Sequence, residues 1–156
     1  MPHFGGRFAV AVWGPPEKVP MLSFPFQATM HVIRRTGAGY ASDTRCSLTH
    51  SNRASPFGLS NEQSLRTTLQ RAGFKEVRVE SVPLIIKLDS AKAFAEETLE
   101  LSAPLNKMLM KINNDAERVR TMVEVTHAIA EAATSYAGNN NNIVLENEVL
   151  LAAGTK

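Results

Sequence analysis

Apolar residues open this chain without a polar interruption: Phe8-Ala9-Val10-Ala11-Val12-Trp13 follows Gly5-Gly6-Arg7 and is closed by Gly14-Pro15-Pro16. A run without polar alternation, ended by glycine and proline, predicts a strand covered on both faces and paired on both edges. Leu22, Phe26, Met30 and Ile33 then recur at helical spacing, and Pro25 confines the predicted helix to about 25–35. Over 36–55 Gly, Ser, Thr, Asn and Arg take over, with Tyr40 and Leu48 the only large apolar residues. So little burial cannot offset the entropy of ordering, and a flexible loop is expected there.

Helical periodicity returns with Leu65, Leu69 and Ala72 on one face. Ser60 and Gln63 have capping-box spacing and Gly73 can close the helix in the left-handed conformation, so a helix is predicted over 61–72. Phe74, Val77, Val79, Val82, Leu84, Ile86 and Leu88, with Arg78, Glu80 and Lys87 between them, predict a strand bent near Pro83. Strand, helix and strand in this order imply a right-handed parallel crossover.

The last third is mainly helical. Asp89 and Ser90 cap a helix bearing Phe94, Leu99 and Leu101, and Ser102 with Pro104 starts another bearing Leu105, Met108, Leu109 and Ile112. Asn114 and Glu117 open a longer helix with an expected apolar stripe of Val119, Met122, Val123, Thr126, Ala130, Ala133 and Tyr136, stopped by Gly138. Residues 139–142 form a turn, 143–145 a short strand, Asn147 a further turn, and 149–153 the final strand. The pattern as a whole is α/β, and no internal repeat is visible.

Composition narrows the classes. The 156 residues are 44% hydrophobic and 21% charged with no bilayer-length apolar run, which predicts one globular domain over 1–156 and no membrane partner. Seventeen basic against 15 acidic residues give a formal charge of +2, too small a surplus to imply nucleic acid as a main partner. The single cysteine, Cys46, excludes an intrachain disulfide and a cysteine-rich zinc site and is consistent with a cytoplasmic chain.

Several segments together resemble a known family. The run from Gly5 to Pro16, the helix and strand of Leu59-Ser60-Asn61-Glu62, Leu65, Leu69, Arg71-Ala72-Gly73-Phe74 and Val77-Arg78-Val79-Glu80, then Asp89-Ser90-Ala91 with Phe94, Ser102-Ala103-Pro104-Leu105, and finally Val149 to Gly154 are similar in order to the C-terminal, substrate-side portion of class I S-adenosylmethionine-dependent methyltransferases of the small-molecule, type 11 group. The resemblance implies a partial Rossmann-like fold: a three-stranded mixed sheet whose antiparallel last strand is inserted between the other two, with a helical substrate cap over 89–137. It also implies S-adenosylmethionine as the cofactor of a complete member and a small, apolar methyl acceptor. The family's glycine-rich cofactor turn and ribose-holding acidic residue match nothing in these 156 residues; Gly5-Gly6 precedes a strand and Gly37-Ala38-Gly39 follows none. By this resemblance the domain is incomplete, and the chain by itself is expected to bind no cofactor and to catalyse nothing. Relatives carry a proline-rich linker where this chain has 36–55.

The remaining chemistry is sparse. His3, His31, His50 and His127 have no metal-ligand spacing, and no nucleophile and base pair is legible. His127 is expected half-buried at the margin of the long helix's stripe, and Cys46 is an ordinary exposed thiol. Arg34, Arg35, Arg45 and Arg53 make the polar segment basic without the aromatic platform that single-stranded nucleic acid needs. The candidate site is a substrate-pocket wall of Trp13, Phe24, Phe26 and Phe94, since ligands bind at the carboxyl ends of strands in open α/β sheets. No catalytic, cofactor-binding or metal residue is assigned. The alternative function is a non-catalytic α/β module that pairs with itself or with another chain. A small apolar-ligand binder using the Trp13 pocket is a further one. Partners follow from the first strand: its edge over 7–13 is expected to pair with a second copy or with a missing N-terminal half, and Val10→Lys or Val10→Pro is expected to abolish the dimer.

Overall fold

The computed structural model describes residues 5–37, 55–138 and 140–156. In chain order the elements are β1 (Arg7–Trp13), α1 (Pro20–Thr36), α2 (Glu62–Arg71), β2 (Lys75–Leu88), α3 (Ala91–Leu101), α4 (Ala103–Leu109), α5 (Asp115–Ala133) and β3 (Ile143–Thr155), with 3-10 turns at Pro16–Lys18 and Thr134–Tyr136. They form two compact units, one built from residues 5–20, 55–85 and 146–156 and the other from 21–37, 86–138 and 140–145. The expected loop over 36–55 lies, except for its ends, outside the described residues, as do His3, His50, Cys46, Arg45 and Arg53.

The sheet has the order β1-β3-β2. β1 and β3 are antiparallel, with Arg7 opposite Thr155 and Trp13 opposite Val149. Along β2 the numbering rises as it falls along β3: Thr155 Oγ1 donates to the Lys75 carbonyl at 3.5 Å and Asn147 Nδ2 to the Leu84 carbonyl at 3.3 Å. Every neighbouring pair is therefore antiparallel, which corrects the expected mixed sheet. β1 and β2 still run parallel to each other, because β3 lies between them.

In the first unit, alternation along the strands decides which face is covered. Phe8, Val10 and Val12 share a face with their partners Gly154, Ala152 and Leu150. Leu65 and Leu69 of α2 pack on that face with Leu150, Ala152, Val12 and Val79. Phe74 meets Phe8 with ring centroids 4.2 Å apart. Phe8 can cross there only because residue 154 is glycine: a Cβ would lie 2.8 Å from Phe8 Cε1 and 3.0 Å from the Lys75 carbonyl oxygen. On the other face Ala9, Ala11 and Ala153 are exposed and Leu151 keeps 43% of its surface. The expectation that β1 is buried on both faces is thus corrected; α2 covers only one.

Other sequence expectations shift for local reasons. α2 is capped by Asn61, whose Oδ1 accepts from the Ser64 amide at 3.0 Å, rather than by the Ser60 and Gln63 box. Gly73 closes the helix as expected, at φ +88. β3 is one continuous strand. The turn expected at Asn147 is absent, because its amide side chain is buried and satisfied by the Leu84 carbonyl.

The second unit is helical around one core. Val32 and Ile33 of α1, Phe94, Ala95 and Leu99 of α3, Leu105, Met108 and Leu109 of α4, Ile112, and Val125, Ile129 and Ala133 of α5 pack together with Ile143 and Leu145. Ser90 and Asn114 cap α3 and α5 as expected, accepting from the Ala93 and Glu117 amides at 3.1 and 2.9 Å. α1 begins at Pro20 and runs through Pro25, five residues ahead of its expected start. Proline lacks an amide, but the Pro25 carbonyl accepts from the Thr29 hydroxyl at 2.8 Å, deep in the unit. Of the expected stripe on α5, Ala133 is buried, but most of the stripe lies on the wrong face. Val119 and Val123 are 59% and 65% exposed, while Thr121, Val125, Ile129 and Ala133, each one helical turn from the next, point inward. Thr121 lies outside the expected stripe, yet its hydroxyl is satisfied by the Glu117 carbonyl at 2.8 Å and is buried without loss.

Candidate functional site

The four residues expected to form a pocket wall divide between the units. Trp13 ends β1 in the first, half-buried. Phe24 and Phe26 lie on α1 and Phe94 on α3, all in the second. There Phe24 stands 5.3 Å from Phe94, tilted by 44°, and stacks on Tyr136 at 5.2 Å and 17°. Phe94 is buried and Phe26 is half-buried against the same core. Such pairs add packing energy of about 0.5–1.5 kcal/mol beyond area burial, so this cluster holds α1 and α3 together within its unit. Tyr136 is not the end of the α5 stripe; it stands in the 3-10 turn that follows α5 and closes the aromatic trio.

The same unit has a groove that the sequence reading did not find. About 370 Å³ in volume, it lies between α1 and α5 and is lined by His31, Val32, Arg35, Val123, Glu124, His127, Ala128 and Glu131. Helical spacing explains its make-up: His31 and Arg35 are one turn apart on α1, and Glu124, Ala128 and His127, Glu131 are one turn apart on α5. Arg35 Nη2 donates to Glu124 Oε2 at 2.9 Å and ties the two helices at the rim. Val32 is buried at the floor, while His31 and His127 are exposed, so His127 is not the half-buried residue expected. Two such i,i+4 polar pairs were legible in the sequence, but only the packing of α1 on α5 turns them toward each other.

The groove has an apolar floor and a rim of charged and imidazole side chains. Its one formed ion pair neutralises its own charges, and among the described residues no three His, Cys, Asp or Glu side chains come together to hold a metal. An apolar floor with a polar rim is the usual form of a small-molecule or side-chain contact.

No family model and no curated protein matches the chain.

The sharpest electrostatic feature is in the first unit. Lys18 Nζ donates to Glu148 Oε2 at 2.9 Å. That hydrogen bond, with a second from Ser81, holds the Glu148 carboxyl below its ordinary value against the opposing effect of burial, and it raises the Lys18 ammonium above its own. Gly14 approaches the same side chain so closely that a Cβ there would lie 2.9 Å from Glu148 Cβ, while its amide donates to the Glu148 carbonyl at 2.8 Å. The pair pins the turn after β1 onto β3. It is an anchor of the strand end on which Trp13 stands.

Proposed function

We propose that this chain is the substrate-side portion of a small-molecule S-adenosylmethionine-dependent methyltransferase, acting in the cytoplasm on an apolar acceptor. The observation that carries the reading is the strand arrangement: an antiparallel final strand, β3, inserted between parallel β1 and β2. That insertion is what the sequence resemblance implies. The helices over 89–137 stand where the resemblance expects an apolar substrate cap. Methyl transfer requires the sulfonium and the acceptor in line, so the contribution of this portion is positioning. None of its residues is assigned a covalent or proton-transfer role. No described helix is long and apolar enough to cross a membrane.

Sequencing the coding region ahead of Met1 tests the reading. The expected result is a frame specifying a strand, a glycine-rich turn and a helix, followed by an acidic residue at the end of the next strand. Absence of such a motif from all frames there would overturn it. Titration calorimetry supplies the second arm: the 156-residue chain by itself should bind no S-adenosylmethionine, and micromolar binding would show a cofactor site among residues to which the reading gives none.

A further inference from the structure

We propose that β1 is a self-complementary edge through which two copies of this chain join into one continuous sheet, in a defined register. The inference concerns the 156-residue chain by itself and does not rest on the methyltransferase reading, in which an upstream half would occupy the same edge.

Among the described residues β1 pairs with β3 alone and forms the end of the sheet. Its hydrogen-bond phase is set by the bonds that flank it: the Gly14 amide donates to the Glu148 carbonyl and the Lys156 amide to the Gly6 carbonyl, at 2.8 and 2.9 Å. Even-numbered residues therefore turn their backbone groups toward β3. Arg7, Ala9, Ala11 and Trp13 turn theirs to the open edge. The seven residues of β1 include no proline and no inward charge, devices that keep natural edges from pairing; a bulge stands just ahead of them, where Gly5, at φ +103, and Gly6 both face Lys156.

A second copy fits this edge better than an arbitrary strand does. An antiparallel two-fold centred on Val10 sets Ala9 opposite Ala11 of the second copy and Arg7 opposite its Trp13. All four open residues of each strand are then used, in about eight backbone hydrogen bonds. Arg7, the only charge on β1, lies on the same face as Trp13. In this register each guanidinium faces the indole of the other copy, a favourable cation–π pairing made twice. Displacing the register by two residues loses both ring pairings and leaves open-edge groups unpaired. On that face exposed Ala9, Ala11 and Leu151 become part of a wider apolar surface shared by the two copies.

The phase also corrects which variant tests the dimer. The Val10 amide points toward β3, so Val10→Pro would damage the chain's own sheet; Ala11→Pro deletes only an open-edge donor. Sedimentation equilibrium of the unaltered chain should show a dimer. Ala11→Pro, with an unchanged circular dichroism spectrum, should weaken it by about thirtyfold, the loss of two hydrogen bonds per dimer. If Ala11→Pro disturbs the fold, Arg7→Glu serves instead and should weaken the dimer by removing both ring pairings. In a Cys46→Ser background, Val10→Cys should cross-link across the two-fold under mild oxidation, and Val12→Cys, which lies opposite Phe8, should not. A monomer at high concentration, a dimer indifferent to both substitutions, or equal cross-linking at Val10 and Val12 would each overturn the proposal.

Discussion

Truncating Ile129 to alanine should cost the second unit far more than truncating Val123, six residues earlier on the same helix. Ile129 has no exposed surface, whereas Val123 keeps 65% of its own. Ile129→Ala removes three buried carbons. At about 0.8 kcal/mol each, with a cavity contribution on top and roughly 0.4 kcal/mol returned by alanine's helix propensity, the net loss is about 3 kcal/mol. That is a large share of a marginal stability of about 5–15 kcal/mol. Val123→Ala removes two carbons that are mostly in water already, and alanine's propensity offsets what burial is lost, so the change should stay within about 0.5 kcal/mol. Urea unfolding followed by helical circular dichroism reads this out, because α1, α3, α4 and α5 all lie in this unit. With a slope of about 1–3 kcal/mol per molar, the Ile129→Ala midpoint should fall by about 1 M or more, and the Val123→Ala midpoint by no more than about 0.5 M. Equal shifts, or the larger one at Val123, would refute the assignment of the inward face of α5 and restore the stripe through Val119 and Val123.

Acid titration offers an independent check on the first unit. The Glu148 carboxyl is lowered from its ordinary 4.5 in the folded chain, chiefly by the Lys18 hydrogen bond, so its stabilisation is present above about pH 4.5 and is lost as pH falls through the lower folded value. Glu148→Gln should flatten that part of the stability profile and leave its acid limb less steep; an unchanged acid limb would exclude the pair as a contributor. Gly154→Ala should destabilise the unit by about 1–3 kcal/mol in thermal unfolding, because the added Cβ meets both the Phe8 ring and the fixed Lys75 carbonyl. A neutral result would mean that β1 yields to the intrusion.

The sequence by itself determined the local elements. Asn114 and Ser90 announce their helices because a short polar side chain can satisfy a first-turn amide wherever the helix is placed. Gly73 marks a helix end because only glycine takes φ +88 without strain. The α/β class and the place of β3 between β1 and β2 were expected as well, the latter from resemblance and not from periodicity. Which face each element buries was a tertiary decision. α5 carries two apolar stripes, one through Val119 and Val123 and one through Val125 and Ile129, and periodicity alone does not rank them; packing within the unit chose the second. Pro25 stops a helix by local rules, but inside α1 the fold supplied enough burial to carry the helix past it. The groove between α1 and α5 was illegible for the same reason. His31, Arg35, Glu124 and His127 are ordinary surface residues in sequence, and they become neighbours only through the contact of two helices whose pairing no local pattern encodes.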